Sequence, residues 1–185
     1  MSDAKQRMID GAVVLLATRG LQATSFSEVL AATGAPRGSV YHHFPDGKDQ
    51  LVMAAVDLAG ERANAALDAV AGRPADEVTA HFLALWRAVL TRSQLTAGCS
   101  VAAVTVATDS AELLEHTSAV FRGWRARLAE LLETGGLPAA DARRFAALLV
   151  AGSEGAVVVA RGEGDLEPFD LVAESLLMQA KALQV

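Results

Sequence analysis

The stretch Ser25-Phe26-Ser27-Glu28-Val29-Leu30-Ala31-Ala32-Thr33-Gly34-Ala35-Pro36-Arg37-Gly38-Ser39-Val40-Tyr41-His42-His43-Phe44-Pro45-Asp46-Gly47-Lys48 decides the fold. Ser25 followed by Glu28 has capping-box spacing, which starts a short helix that turns Phe26, Val29 and Leu30 inward. Gly34 stops that helix, because glycine takes the left-handed conformation at no steric cost. Ala35 precedes a proline and is biased away from helical dihedrals, while Pro36 can open the next helix, where its missing N–H costs nothing. Helix, three-residue bend and helix thus fill residues 26–44. A bend that short makes the two helices cross steeply, and the second is presented on the surface as a helix-turn-helix.

The second of these helices divides its side chains between two tasks. Val40 and Phe44 lie four apart and anchor it, which leaves Arg37, Ser39, Tyr41 and His42 facing outward. Arg37 has the fork that pairs with guanine O6 and N7, Ser39 and Tyr41 have hydroxyls that reach phosphate oxygens, and His42 suits either role. Gly38 lets a backbone approach closely. Lys48 begins the following helix, so its charge and the first-turn amides can share a phosphate. Ser25, at the start of the first helix, joins this DNA-contacting set. The same spacing also fits a solvated surface helix with a tyrosine at its edge.

Working outward, the whole chain reads as all-α, with an N-terminal three-helix helix-turn-helix domain and a larger C-terminal helical bundle. Met8, Ile9, Ala12, Val13, Leu15 and Leu16 form a helical stripe over 4–19, capped by Ser2 or Asp3 and stopped by Gly20. After the Pro45-Asp46-Gly47 turn, further helices are predicted at 48–71, 75–93, 99–107, 110–134, 138–160 and 168–183. No run of period-two alternation is long enough to suggest a sheet. Residues 1–47 are expected to form the reading domain and 48–185 the body.

Of 185 residues, 52% are apolar and 21% charged, which excludes a disordered or collagenous chain. Residues 1–50 carry five Lys/Arg and five Asp/Glu, so the net charge of -6 belongs entirely to the remainder. An acidic body is compatible with a small, locally cationic reading head. A single cysteine, Cys99, excludes an internal disulfide, and the N-terminus lacks the pattern of a signal peptide, so a cytoplasmic location is expected. The longest apolar run, 146–160, contains Glu154 and falls short of the ~20 residues of a membrane span, so no membrane partner is expected.

Residues 34–52 closely resemble the end of the DNA-binding domain in TetR-family transcriptional repressors, where a Gly, a small-residue turn, Tyr, His, Phe and a following Lys recur in this order. The resemblance is nearest to the LmrA/YxaF-like branch, carried by Gly34-Ala35-Pro36 before the reading helix and Phe44-Pro45-Asp46-Gly47-Lys48 after it. It is strong over 5–55 and weaker beyond, at Gly98-Cys99 and Phe121 to Trp124. One departure is Leu30, where the family often has Ala; a bulkier residue there bears on how the two helices cross. The resemblance implies an all-helical homodimer whose body binds a small molecule.

The body shows no catalytic constellation. His81 and His116 are isolated, Cys99 has no partner at metal-ligand spacing, and adjacent His42 and His43 point about 100° apart, a poor chelating pair. No strand precedes Ser153 to make a nucleophile elbow. No enzyme activity, metal or cofactor is expected. Phe82 and Trp86, and Phe121 and Trp124, each fall on one helical face, which suits core packing or the wall of an apolar cavity. With Cys99 they form the candidate effector set, to which Ser100 and Thr105 add polar contacts. The last two helices are more apolar than a monomer surface needs, and Leu149, Gly152, Ala156, Val159 and Leu176 are candidates for a dimer interface, or for a buried hairpin within one chain. The expected function is a ligand-responsive repressor on a pseudopalindromic double-stranded DNA operator, read through residues 36–43 and released by an apolar or amphipathic effector. The alternative is a helical small-molecule-binding protein with a vestigial reader.

Overall fold

A computed structural model describes residues 3–184. The described residues form nine helices and no strand: α1 Asp3–Arg19, α2 Phe26–Thr33, α3 Arg37–His43, α4 Lys48–Asp68, α5 Ala75–Arg92, α6 Ser100–Ala107, α7 Ala111–Thr134, α8 Ala139–Glu163 and α9 Glu167–Ala182. Ser2, one of the two expected caps of the first helix, lies outside the described residues, and Asp3 stands within the first turn, where an acidic side chain complements the helix dipole. The chain forms two compact units, Met1–Glu61 with Cys99–Val120, and Arg62–Gly98 with Phe121–Val185. The partition does not follow the 47/48 boundary expected from the sequence, because α4 and α7 each contribute to both units.

In the first unit, α1 supplies the core stripe. Met8, Ile9, Ala12, Leu15 and Leu16 are buried, whereas Val13, expected among them, is only half-buried. The helix packs against α2, α3 and α6. Gly11 permits the α1–α2 approach, since a Cβ there would collide with the methyl of Thr33. Leu51, Val52, Ala55 and Val56 of α4 and Val101 and Val104 of α6 complete this core. Gln22 reaches the Ala107 carbonyl at the end of α6, at 3.3 Å.

The second unit is built around α8, nine of whose residues are buried, among them Phe145, Leu149, Val157 and Ala160. Helix α8 packs on α9 and α5, and α5 also packs on α9. Leu67, Phe82, Leu90, Leu128, Leu132 and Phe169 belong to the same apolar cluster. Arg87 of α5 and Asp170 of α9 form a two-pronged ion pair at 2.8 and 3.0 Å. The Arg87 hydrogen bond holds the Asp170 carboxyl below its ordinary range. Two helix ends differ from expectation by three residues. Helix α4 stops at Asp68, three residues early, in a run of turns up to Pro74. Helix α8 continues past Ala160 to Glu163, because its stop is Gly164, in the left-handed region at φ 71°, whose N–H donates to the Ala160 carbonyl. The apolar run 146–160 is therefore the middle of a 25-residue helix that is long and apolar enough to cross a membrane, with its buried face in this unit's core.

Candidate nucleic-acid interface

The local chemistry of residues 25–48 is realised with informative changes. The Ser25 side chain accepts the Glu28 N–H at 3.2 Å and so caps α2. The reciprocal half of the capping box is absent: the Glu28 carboxylate is drawn 3.0 Å from Arg19 at the end of α1. Gly34 takes the left-handed conformation at φ 64° and donates to the Leu30 carbonyl, ending α2 as expected. Pro36 is the N-cap of α3 and not its first residue; its ψ of 134° is extended, and the helix begins at Arg37. Leu30 is half-buried and Val29 fully buried.

Helix α3 is held by little. Val40 and Phe44 are each 1% exposed and are its anchors. Lys5 of α1 sets its ammonium 5.8 Å from the centre of the Phe44 ring, and Phe26 of α2 lies 6.5 Å from the same ring. Arg37, Gly38, Tyr41 and His42 stand exposed beside these anchors. Tyr41 is 72% exposed, its ring braced edge-on against Phe26 at 5.8 Å, which directs the phenol outward on a stiff support. Arg37 and His42 are exposed, and Arg37 has no hydrogen-bond or ion-pair partner among the described residues. Gly38 faces open space, with nothing within 4 Å of where a Cβ would stand. The His42 ring meets that of His43 at 5.0 Å.

Two of the expected contacts are differently employed. The Ser39 hydroxyl donates to the Pro36 carbonyl at 2.6 Å, so its proton serves the first turn and its oxygen remains as an acceptor. The Lys48 ammonium donates to the Leu21 carbonyl at 2.7 Å, tying the start of α4 to the chain just beyond α1. Sequence reasoning missed this tie and the Lys5–Phe44 contact, since both depend on where a distant backbone or ring lies. The only available hint is that a lysine at a helix start carries a charge that the dipole there disfavours, and so has reason to seek another partner.

The remaining site residues also separate. Phe82 and Trp124 are buried, while Trp86 and Phe121 are partly buried against the second unit's core. Phe121 and Trp124 meet edge-on at 5.5 Å. Cys99 belongs to the first unit, where it caps α6 by accepting the Ala102 N–H at its sulfur. Ser100 is buried, and the Thr105 hydroxyl donates to the Val101 carbonyl. Of the dimer candidates, Leu149, Ala156 and Leu176 are buried within their own chain, and Gly152 lies 3.6 Å, from its would-be Cβ, from Leu176. Within this chain α8 and α9 pack on each other. Val159 is exposed, and so are Leu148, Val158, Leu171 and Met178 on the same two helices.

An all-helical chain whose short third helix stands exposed after a tight, glycine-ended turn is a helix-turn-helix protein. The comparisons make the class specific. Residues 8–55 match the family described as bacterial regulatory proteins, tetR family, and residues 74–175 match the LmrA/YxaF-like transcriptional regulator C-terminal domain. The HTH-type transcriptional regulator Rv0196 of Mycobacterium tuberculosis is 36% identical over 183 residues, covering 95% of this chain and 93% of the relative. YxaF of Bacillus subtilis is 27% identical over 181 residues, covering 94% and 93%. A TetR-family regulator of Chloroflexus aurantiacus has the same fold with a TM-score of 0.78 at 29% identity, covering 95% and 93%. A regulatory protein of Rhodobacter sphaeroides superposes with a TM-score of 0.85 over 96% and 98%, at 22% identity. The chain belongs to the TetR family of DNA-binding transcriptional regulators, with an LmrA/YxaF-like body. That family is one of regulators and is not known for enzymes.

Proposed function

We propose that the protein is a homodimeric repressor whose two α3 helices enter successive major grooves of a pseudopalindromic operator, and that a small apolar or amphipathic effector bound in the body releases it. The observation that carries the reading is the division of labour on α3: two buried anchors, Val40 and Phe44, hold up an outward face of Arg37, Gly38, Tyr41 and His42. Such a face suits base and phosphate contacts, and a two-fold dimer sets its half-sites about 34–36 Å apart, or a multiple of that. The exposed apolar residues Leu148, Val158 and Val159 of α8 with Leu171 and Met178 of α9 support a self-complementary interface on those helices. Phe82, Trp86, Phe121 and Trp124 supply apolar walls for an effector. A regulator of this kind works in the cytoplasm, where its DNA is.

The operating arithmetic follows from two states of the dimer. An effector must prefer the non-binding state by about 10⁴-fold to empty the operator almost completely. Fluorescence anisotropy with DNA flanking the gene, against a nonspecific competitor, tests the reading. Sequence-specific binding with a steep salt dependence is expected. Equal affinity for flanking and random DNA would instead mark the reader as vestigial.

A further inference from the structure

Among the described residues, the second unit holds one buried side-chain polar atom that its own chain leaves unanswered. The amide oxygen of Asn64, on α4, is buried and meets no hydrogen-bond donor. An acceptor buried in this way has lost its hydration without gaining a donor, whereas most buried side-chain polar atoms are paired. The other buried polar side chains of this unit obey that rule: Thr79 donates to the Ala75 carbonyl and Ser153 to the Val150 carbonyl. The position of Asn64 is equally specific. It stands three residues before Leu67, on the α4 face that joins the apolar cluster. Two residues on, the Ala66 carbonyl accepts from His81 Nε2 of α5 at 2.9 Å, next to Phe82. One turn on, Asp68 is gripped at 2.6 Å by Arg127 of α7, three residues from Trp124. The orphan oxygen is therefore within about one helical turn of the links from α4 to both aromatic-bearing helices.

We infer that Asn64 Oδ1 is the polar anchor of the effector site, and that the effector is an apolar ring compound that presents one hydroxyl or N–H donor to it. The inference rests on the proposed effector site in the body and adds its chemical selectivity. The aromatic side chains supply nondirectional burial, which barely distinguishes one flat apolar molecule from another. One unpaired acceptor on α4, the helix tied to both aromatic-bearing helices, discriminates strongly, because a ligand without a donor leaves it unpaired while a ligand with one satisfies it.

A matched pair of probes tests this on the full-length protein: 1-naphthol, which carries a hydroxyl, and 1-methylnaphthalene, in which a methyl replaces it. Titration calorimetry is expected to show 1-naphthol binding about tenfold more tightly, the value of one good hydrogen bond. Asn64→Leu keeps the volume and removes the acceptor. It is expected to abolish that preference and to raise the thermal midpoint of the ligand-free protein, since the buried orphan is gone. Trp124→Ala is expected to weaken both probes alike. If wild type binds the two probes equally, or Asn64→Leu retains the preference, the anchor is overturned while the effector site stands. If neither probe binds wild type, both fall.

Discussion

Helices α3 and α8 are opposites in how they spend their side chains. The seven residues of α3 bury one of their number, Val40, while the 25 residues of α8 bury nine. Helix α3 is folded from outside, by Phe44 beyond its end, by the Lys5 and Phe26 contacts on that ring and by the cap that ends α2. Helix α8 is folded by its own surface. The difference teaches that side chains are free for recognition where neighbouring elements supply the packing, and that a helix which is itself the core has few to spare.

That contrast can be broken by substitution, with the largest effect expected in α8. Phe145→Ala should lower the unfolding free energy in urea by roughly 3–5 kcal/mol, the cost of a cavity at a buried aromatic; a loss under 1 kcal/mol would mean that α8 is not the core. Arg37→Ala should leave urea unfolding unchanged and cost roughly 1–3 kcal/mol of discrimination between operator and mismatched DNA. Retention of full operator preference would remove Arg37 from the reading set.

Smaller effects sharpen the comparison at the borders of the two helices. Ser25→Ala should cost about 1 kcal/mol of stability by removing the cap on α2, and operator affinity should fall with it because α2 carries the bend on which α3 stands. An unchanged melt would show that the Ser25 bond contributes nothing. Lys48→Met separates two duties. If the bond to the Leu21 carbonyl matters, the melt is lowered; if the ammonium also meets a phosphate, the slope of affinity against salt falls by about 1. The smallest effect belongs to Arg87 and Asp170. The folded carboxyl is held low, so its stabilisation is present above its unfolded pKa and is lost as pH falls from about 4 downward. Both partners are about half exposed, so solvent screens the pair. Asp170→Asn should flatten only that acid limb of the stability profile, and an effect near pH 7 larger than that of Ser25→Ala would contradict it.

Much of the reader was legible in residue order because its signals are local. Ser25, Gly34 and the Val40–Phe44 spacing act within a turn or two of themselves, and each behaves in the structure as its chemistry requires. Local signals also misplace things by a residue or a partner. Pro36 caps α3 where it was expected to open it, and Glu28 answers Arg19 where it was expected to close the box on Ser25. In the body, apolarity announced burial without saying against what, and Leu149, Ala156 and Leu176 proved to be packed within their own chain.

Helix content, the glycine-ended bend and the anchors of α3 were determined by sequence alone, since φ/ψ preference and side-chain spacing operate over a few residues. Only the tertiary structure decided that the Lys48 charge is given to the Leu21 carbonyl, that Cys99 lies in a different unit from the aromatic residues, and that the Asn64 oxygen is buried without a donor. Each of these depends on the distance between groups far apart in the chain, and that distance exists only once the helices have packed.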